Sequence, residues 1–227
     1  MPASPERSER RLRLLEEALR LVSESGLGAV THRNVEQAAG APHGSVTYWF
    51  GSREGLISSL IDWLCDESER QARAIATPVQ QQIAAGQTLD IDAIAAALSA
   101  WIDGAAAHHL ARMELELQGA REPAHAKRMT QAAHVFWDMC AGIAEGLGSD
   151  EPGRDGRAMA VMLDGLILDR LAHSPQGQDV VAASLRWLLA GPPTYSSLAR
   201  RTSGAPSGST SASRADSYEG NARTPPS

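Results

Sequence analysis

Apolar residues recur along the first part of the chain at the spacing of an amphipathic helix. Leu12, Leu15, Leu19 and Val22 follow one another at intervals of three or four residues, which places them on one side of a helix. Gly26 comes soon after this run, as glycine commonly does where a helix ends. The pattern therefore predicts a first helix of roughly five turns with one buried side.

A shorter and more polar pattern follows this helix. Thr31 fits the N-cap of a second helix that Gly40 ends, and Pro42 then falls in a tight turn. A very short helix is predicted over residues 44–49, and Ser52 fits the cap of a fourth helix. Two short helices joined by a tight turn and braced by longer ones are the plan of a helix-turn-helix. The second helix of that motif enters the major groove of DNA.

The rest of the chain also shows helical periodicity. Asp90 fits the cap of one helix, and Pro123 fits the first turn of another. Residues 148–156 are interpreted as a loop, and residues 78–87 fit no element well. An all-α fold with about nine helices in total follows from this pattern. The helices predicted in this part run over residues 54–75, 90–107, 110–121, 123–146, 157–173 and 178–190.

These helices divide the chain into three predicted parts. Residues 1–52 are expected to form a three-helix helix-turn-helix domain, and residues 53–191 a larger helical domain. Beyond residue 191, Ser, Pro, Gly, Thr and Arg dominate, so that little apolar surface is available for burial. Residues 192–227 are therefore predicted to be a disordered tail.

The distribution of charge matters more here than its sum. The 227 residues carry a formal net charge of −6, which by itself argues against binding to a polyanion. Residues 1–60, however, hold seven Arg and seven Glu, so the excess of acid lies entirely in residues 61–227. A neutral segment can still present a basic face to phosphates. Charge therefore neither supports nor excludes DNA binding.

Several features point to a cytoplasmic chain. No stretch approaches the roughly 20 apolar residues that a membrane span needs, and the N-terminus lacks the apolar core of a signal peptide. Cys65 and Cys140 lie far apart in helical patterns, which fits reduced thiols. No membrane partner is expected.

The sequence offers little for catalysis or for a metal. It has no Gly-x-Ser-x-Gly elbow, no phosphate-binding glycine loop and no zinc-protease histidine pair, so no enzyme and no cofactor are predicted. His108 and His109 with Glu114, or His125 with His134, could supply ligands to a metal. Their spacings match no standard motif, and adjacent histidines point to different sides of a helix. Metal sensing is therefore the weaker reading, and no metal site is predicted.

Three segments around the short helices resemble a known family. Residues 29–35 (AVTHRNV), 38–50 (AAGAPHGSVTYWF) and 52–56 (SREGL) look like the DNA-binding domain of tetracycline-repressor-like (TetR family) regulators. The remainder is similar in layout, a helical regulatory domain of comparable length. The resemblance implies a DNA-binding transcription regulator whose partners are double-stranded operator DNA, a second copy of the chain and a small-molecule effector.

The resemblance also assigns roles within the short helices. It implies groove-facing or phosphate-contacting positions, and the hydroxyl and guanidinium groups among them suit phosphate oxygens and base edges. Lysine is common in the family where His43 stands, an aromatic residue where Thr47 stands, and histidine where Trp49 stands. The operator sequence therefore cannot be carried over, and base contacts by His43 and Thr47 stay open. The DNA-binding residues implied are Thr31, Arg33, Pro42, His43, Gly44, Ser45, Thr47, Tyr48 and Arg53.

The last two helices are expected to form the dimer interface. In the family they pair with their counterparts in a four-helix bundle, which holds two recognition helices about one DNA turn apart, roughly 34 Å. The same apolar stripes could instead belong to the core of one chain. The interface residues predicted are Met159, Met162, Leu163, Leu166, Leu185, Leu188 and Leu189.

The middle helices are expected to line an effector cavity. Most candidates could be ordinary core residues, but Glu114 and Asp164 stand among apolar neighbours, where a polar group needs a partner. Arg112, Arg121 or a ligand could supply that partner. The effector-binding residues predicted are Trp101, His109, Met113, Glu114, Leu117, Phe136, Trp137, Cys140, Asp164 and Leu168.

The resemblance implies, as the default of the family, a repressor that a small-molecule effector releases from a palindromic operator; the residues leave activation open as the other direction. The fourth helix belongs to both domains and is expected to transmit the change. The alternative is a helical interaction protein, or an enzyme, that keeps the helix-turn-helix for packing only.

Overall fold

The structure is a computed structural model that describes residues 5–121, 123–173 and 180–189, without the side chains of residues 5–7, 123–125 and 189. Within this part the chain forms nine α-helices and one short 3₁₀ turn, which confirms the predicted all-α class. The tail predicted over residues 192–227 lies outside the described residues. The helices are α1 (Pro5–Ser25), α2 (His32–Ala38), α3 (Ser45–Phe50), α4 (Arg53–Ala84), α5 (Ile91–Gly104), α6 (Ala106–Arg121), α7 (Pro123–Gly146), α8 (Pro152–Ala172) and α9 (Val180–Leu189), with the 3₁₀ turn at Leu27–Ala29.

The predicted helix caps are present. The Thr31 hydroxyl accepts a hydrogen bond from the backbone N–H of Asn34 at 3.2 Å. Ser52 accepts from the N–H of Gly55 at 3.1 Å, and Asp90 from the N–H of Ala93 at 3.0 Å. Each side chain satisfies a backbone donor that has no partner within its own helix. Local chemistry therefore sets the starts of α2, α4 and α5.

Two helix boundaries differ from the prediction by five residues or more. Helix α4 does not stop near residue 75 but continues through Pro78 to Ala84, because its apolar side continues as well: Ile83 contacts the backbone of α7 at Gly146. Packing on that side outweighs the hydrogen bond that Pro78 cannot donate. Helix α8 begins at Pro152 rather than at residue 157, since proline suits the first helical turn.

One apolar cluster joins the short helices to the longer ones. Leu15 of α1, Val35 of α2 and Val46 of α3 are fully buried beside Leu60 of α4. Leu12, placed on the buried side of α1 by its spacing, is instead 38% exposed. The cluster continues into α6 and α7, so helices on both sides of residue 52 share one core, and the predicted domain boundary stays a prediction.

A second cluster lies among α5, α8 and α9. Leu98 and Ile102 of α5 pack with Ile167 of α8 and Leu185 of α9, all buried. Helix α8 also packs closely along α7 at Gly156. A Cβ built on Gly156 would lie 2.3 Å from the backbone nitrogen of Ala141, so the two helices meet backbone to backbone at that point.

Candidate DNA-binding surface and effector cavity

Helix α3 is a short helix held by one buried side chain. Val46 is fully buried, whereas Tyr48 is 66% exposed and Thr47 is exposed as well. Gly44 precedes the helix with a φ of +89°, a left-handed conformation that favours glycine. The rest of α3 is thus presented on the surface, as a helix that reads a DNA groove requires.

A buried carboxylate fixes the start of α3. Glu36 of α2 is only 4% exposed, and its Oε1 accepts a hydrogen bond from the backbone N–H of Val46 at 3.0 Å. Its Oε2 lies 3.2 Å from Nδ1 of His43 in the turn between the two helices. The carboxylate therefore ties α2, the turn and α3 together. Glu36 is not among the residues that the sequence analysis singled out; its signal is an acid directly after Val35 on the buried side of α2.

The hydrogen bonds around Glu36 keep it ionised. Burial alone raises the pKa of this carboxyl, but the backbone hydrogen bonds of Val46 and Gly44 and the contact with His43 outweigh it. The net result is a pKa below the ordinary value. A negative charge therefore stays beneath the turn at neutral pH.

The predicted DNA-binding residues fall into two groups. Arg33, Pro42, His43 and Tyr48 are exposed around α3, where a DNA backbone or base edge could reach them. The hydroxyls of the others have partners within the chain. Thr31 caps α2, Ser45 Oγ donates to the Pro42 carbonyl at 2.5 Å, and Thr47 Oγ1 lies 3.3 Å from Nδ1 of His32.

Arg53 has a role that the sequence did not predict. Its Nε donates to the carbonyl of Val30 at 2.7 Å, and its Nη2 donates to the carbonyl of Leu27 at 2.9 Å. The side chain is partly buried and joins the start of α4 to the 3₁₀ turn that follows α1. At least two of its N–H groups therefore serve the fold, and the predicted phosphate contact stays a prediction for the others.

Basic residues of α1 lie on the same surface as α3. Arg10 and Arg13 line a groove of about 820 Å³ together with His43, Ser45 and Tyr48. Sequence reasoning did not select Arg10 or Arg13, because it counted charge over residues 1–60 as a whole. The signal was the concentration of Arg10, Arg11 and Arg13 within about one helical turn.

A cavity of about 80 Å³ lies between α4, α5, α6, α7 and α8. Five of the ten predicted effector residues line it. Most of its wall is aromatic or aliphatic, with a few polar groups on the α4, α6 and α8 sides, which is the usual make-up of a small-molecule site. The predicted residues that line this cavity are Trp101, His109, Phe136, Trp137 and Asp164.

A buried arginine neutralises part of the polar side. Arg112 donates from Nη1 to Glu116 and from Nη2 to Asp164, both at 2.7 Å. Arg112, one of the partners that the sequence suggested for Asp164, is therefore bonded to it. Burial raises the pKa of Glu116, and the neighbouring guanidinium offsets this only in part.

His109 is a buried polar residue whose ring nitrogens have no hydrogen-bond partner within the described part of the chain. It is 1% exposed and lines the cavity, and neither ring nitrogen makes a hydrogen bond. The Trp101 carbonyl is close enough to raise the His109 pKa slightly, but not in hydrogen-bonding geometry. The Trp101 ring meets the imidazole edge-on, with the centroids 4.5 Å apart. The neighbouring His108 differs, because its Nε2 lies 2.7 Å from the Ser68 hydroxyl.

The two histidines should make stability fall in mild acid. Burial lowers the pKa of both His108 and His109 to about 4, from an ordinary 6.5. The unfolded chain takes up these protons below pH 6.5 while the folded chain does not. The contribution of the two neutral histidines to the free energy of unfolding is therefore complete above pH 6.5 and is lost as the pH falls through 4. We expect the free energy of unfolding to drop by about 3 kcal/mol per histidine over that range.

Urea unfolding at pH 7, 5.5 and 4.5 measures this loss. His109→Phe is the matched variant, since it removes one of the two groups and should make the decline shallower. If the free energy of unfolding fell equally steeply with pH in the variant and in the parent chain, the buried, neutral state of His109 would be contradicted.

A second cavity of about 90 Å³ adjoins the first and has only apolar side chains in its wall. Ala72, Trp101, Phe136 and Met139 line both cavities. Cys140, a predicted effector residue, lines the second one. Burial raises the pKa of its thiol to about 11, so it is protonated at neutral pH.

Four predicted effector residues line neither cavity. Met113 packs against the cluster of α5, α8 and α9, and Glu114 lies near Gly26 at the end of α1, where a Cβ on that glycine would be 3.7 Å from Oε1. Leu117 is 59% exposed and Leu168 is 49% exposed. Their place on the same helices as the lining residues is what made them candidates.

The predicted interface residues differ in their exposure within one chain, and their place in a dimer stays a prediction. Met159, Leu163, Leu185 and Leu188 line the second cavity inside one chain, and Leu185 is buried. Met162 and Leu166 are half-buried, and the side chain of Leu189 lies outside the described residues. The apolar side chains that α8 and α9 expose are different ones: Val161, Leu168, Val180 and Trp187.

Two kinds of feature are absent from the described part of the chain. None of its helices is long and apolar enough to cross a membrane. Within residues 5–121, 123–173 and 180–189, no three His, Cys, Asp or Glu side chains gather as ligands for a metal ion.

Comparison with protein families gives two matches that follow one another along the chain. The family model described as "Bacterial regulatory proteins, tetR family" matches residues 14–60. The model "Tetracyclin repressor-like, C-terminal domain" matches residues 85–191. The two matches together cover well over half of the chain.

Individual relatives agree with these matches. The HTH-type transcriptional regulator BetI of Burkholderia thailandensis is 23% identical over 176 residues, which are 74% of this chain and 85% of that protein. A transcriptional regulator from Rhodococcus sp. Rha1 has 18% identity and a TM-score of 0.62, covering 79% of this chain and 94% of its own. The multidrug binding protein EbrR, complexed with imidazole, has 23% identity and a TM-score of 0.58, with coverages of 82% and 97%. At these identities the structural likeness shows the fold alone.

Proposed function

Since this chain belongs to the tetR family of bacterial regulatory proteins and is a DNA-binding transcriptional regulator, we propose that it works as a homodimeric repressor. A small-molecule effector releases it from a palindromic operator. The observation that carries the proposal is the course of α4. This helix of 32 residues shares the core of α1–α3 through Leu56 and Leu60, and farther along it lines the cavity with Ser68 and Ala72.

The proposed switch is a shift in α4. A ligand in the cavity contacts the middle of α4, and the N-terminal part of α4 supports α3, so a displaced α4 changes the spacing of the two recognition helices in the dimer. The affinities are then linked: DNA must weaken effector binding by the same factor by which the effector weakens DNA binding. EbrR, which has the same fold, has been solved with imidazole, proflavin and malachite green, which supports a small molecule as the occupant.

Arg10 and Arg13 are proposed to bind DNA phosphates beside α3. Each phosphate contact contributes about 0.9 to the slope of log K against log salt, because a condensed counterion is released. We expect Arg10→Ala with Arg13→Ala to lower that slope by about two units for every DNA sequence tested. Fluorescence anisotropy with DNA from the chain's own upstream region, between 50 and 200 mM salt, is the measurement.

Arg20→Ala is the matched control for this pair. Arg20 lies on the same helix but does not line the groove beside α3, so its removal should leave the slope unchanged. A slope that also stays constant in the double variant would exclude Arg10 and Arg13 from the DNA interface. Failure of the parent chain to bind any upstream DNA at low salt would overturn the proposed operator.

The dimer is proposed to form through the exposed apolar side chains of α8 and α9. Val161 and Leu168 lie on one side of α8 with the exposed Gly165 between them, and Trp187 is 48% exposed on α9. Contiguous apolar side chains at a surface mark a protein interface, and a flat, small-residue stripe lets two helices approach closely.

We expect Leu168→Glu to produce monomers, because two carboxylates would meet at the two-fold axis region without partners. Sedimentation velocity at micromolar concentration shows the change in mass, and operator affinity should fall with it. Leu147→Glu is the control, since Leu147 is a comparable exposed leucine, 44% exposed, just after α7. A parent chain that is already monomeric would refute the interface.

A further inference from the structure

The two adjoining cavities have complementary chemistry. The first combines the unpartnered His109 with the Arg112, Glu116 and Asp164 cluster, whereas the second has an entirely apolar wall. Because Trp101 and Phe136 belong to both walls, a ligand that passes these two rings occupies both spaces. We infer that the effector is an uncharged amphipathic molecule, with one hydrogen-bonding head at His109 and an apolar tail in the second cavity. This inference rests on the proposed function, in which the cavity is the effector site.

His109 identifies the head group. A buried polar group without a hydrogen bond destabilises the folded chain, and the described residues supply no partner for either ring nitrogen. A neutral imidazole offers one N–H donor and one nitrogen acceptor. A hydroxyl, which also donates and accepts, is the simplest group that matches it. The low pKa of His109 keeps the ring in this neutral form at physiological pH.

Neither kind of charged head suits this cavity. Burial is the main cause that lowers the pKa of His109 to about 4, so a cationic head placed against that ring would lose its hydration in the same way. Arg112 is already bonded to Glu116 and Asp164, and Glu69 lines the same wall. An anion would therefore find no unsatisfied guanidinium and three carboxylates. An uncharged head avoids both costs.

The second cavity identifies the tail. Side chains from α4, α5, α7, α8 and α9 form its wall, among them Leu98, Ile143 and Leu163. No polar side-chain atom is exposed in that wall, so a polar group entering it would lose its hydrogen bonds to water without replacement. A saturated chain or ring has no such loss and gains from the burial of apolar surface.

Three probes with one tail and different heads test the inference: 1-octanol, octanoate and octylammonium. Isothermal titration with the full chain at pH 7.5 gives their affinities. We expect 1-octanol to bind at least ten times more tightly than either ion. Tighter binding of octanoate or octylammonium would overturn the uncharged head, and equal binding of all three would exclude any role for the head.

Variants of each cavity separate the head from the tail. His109→Phe keeps the ring contact with Trp101 but removes both nitrogens, and should weaken 1-octanol about fivefold while raising the melting temperature of the free protein. His109→Gln, which retains a donor and an acceptor, should recover most of the affinity. Leu163→Trp fills the second cavity and should weaken the binding of all three probes by the same factor. Unchanged affinity for 1-octanol in His109→Phe would contradict the proposal.

The same titrations with operator DNA bound distinguish this inference from the function it rests on. If 1-octanol binds as expected but does not release operator DNA, the ligand assignment holds and the effector role of the cavity fails. If DNA is released only by a charged probe, the regulatory function holds and the uncharged head is wrong.

Discussion

Glu36→Ala is expected to abolish tight operator binding and to lower the free energy of unfolding by about 3 kcal/mol. The change removes the buried acceptor of the Val46 N–H and the contact with His43. The donors at the start of α3 would then be left without a partner, and α3 has only one fully buried side chain to hold it. Urea unfolding measures the stability, and anisotropy measures operator affinity at a temperature where the variant is folded.

Two variants isolate the role of the carboxylate. Glu36→Gln keeps an oxygen that can accept from Val46 but loses the charge. It should therefore lower the free energy of unfolding about half as much as Glu36→Ala does, and it should retain measurable DNA binding. His43→Ala removes an exposed ring and its contact with Oε2 but leaves the bond to the Val46 N–H, so it should lower the free energy of unfolding far less than Glu36→Ala. A Glu36→Ala chain with normal stability and normal operator affinity would show that α3 does not depend on this carboxylate.

Gly156→Ala is expected to destabilise the chain by about 3 kcal/mol or more. The new methyl group would lie 2.3 Å from the nitrogen and 2.5 Å from the Cα of Ala141. These are backbone atoms of α7, which cannot rotate away as a side chain can, so α7 and α8 would have to separate along their contact. Cys140, next to this crossing, lines the second cavity, and binding there should weaken as well.

Gly153→Ala is the matched control on the same helix. A Cβ at Gly153 meets no atom within 4 Å, so alanine should be neutral or slightly stabilising through its better helix propensity. The difference between the two variants in urea unfolding then isolates the clash. Similar stabilities for both would mean that α7 and α8 do not approach as closely as described.

Much of the fold could be predicted from the sequence because its signals are local. Thr31, Ser52 and Asp90 cap helices through bonds to residues three positions away, and such patterns are visible in a linear sequence. The helix-turn-helix likewise depends on turn chemistry around Gly40 and Gly44. The continuation of α4 through Pro78 was missed because its support comes from α7, distant in sequence.

The site was harder to predict because its contacts are distant. Arg53 bonds to backbone carbonyls 23 and 26 residues away, and a carbonyl leaves no trace in the sequence. Helix α8 is apolar on two sides, and periodicity does not tell which side faces a cavity and which faces solvent. Met159 and Leu163 were therefore assigned to the interface, whereas Val161 and Leu168 are the exposed pair.

Helix α6 limits how readily this regulator could change its ligand. His109 lines the cavity, and Leu115, about 9 Å farther along the same helix, is fully buried in the cluster that includes α1. A substitution that retunes the cavity therefore also disturbs a support of the DNA-binding half. Selections for new inducers should return many variants that no longer bind the operator, and recovering useful ones will require second substitutions that restore α6 against α1.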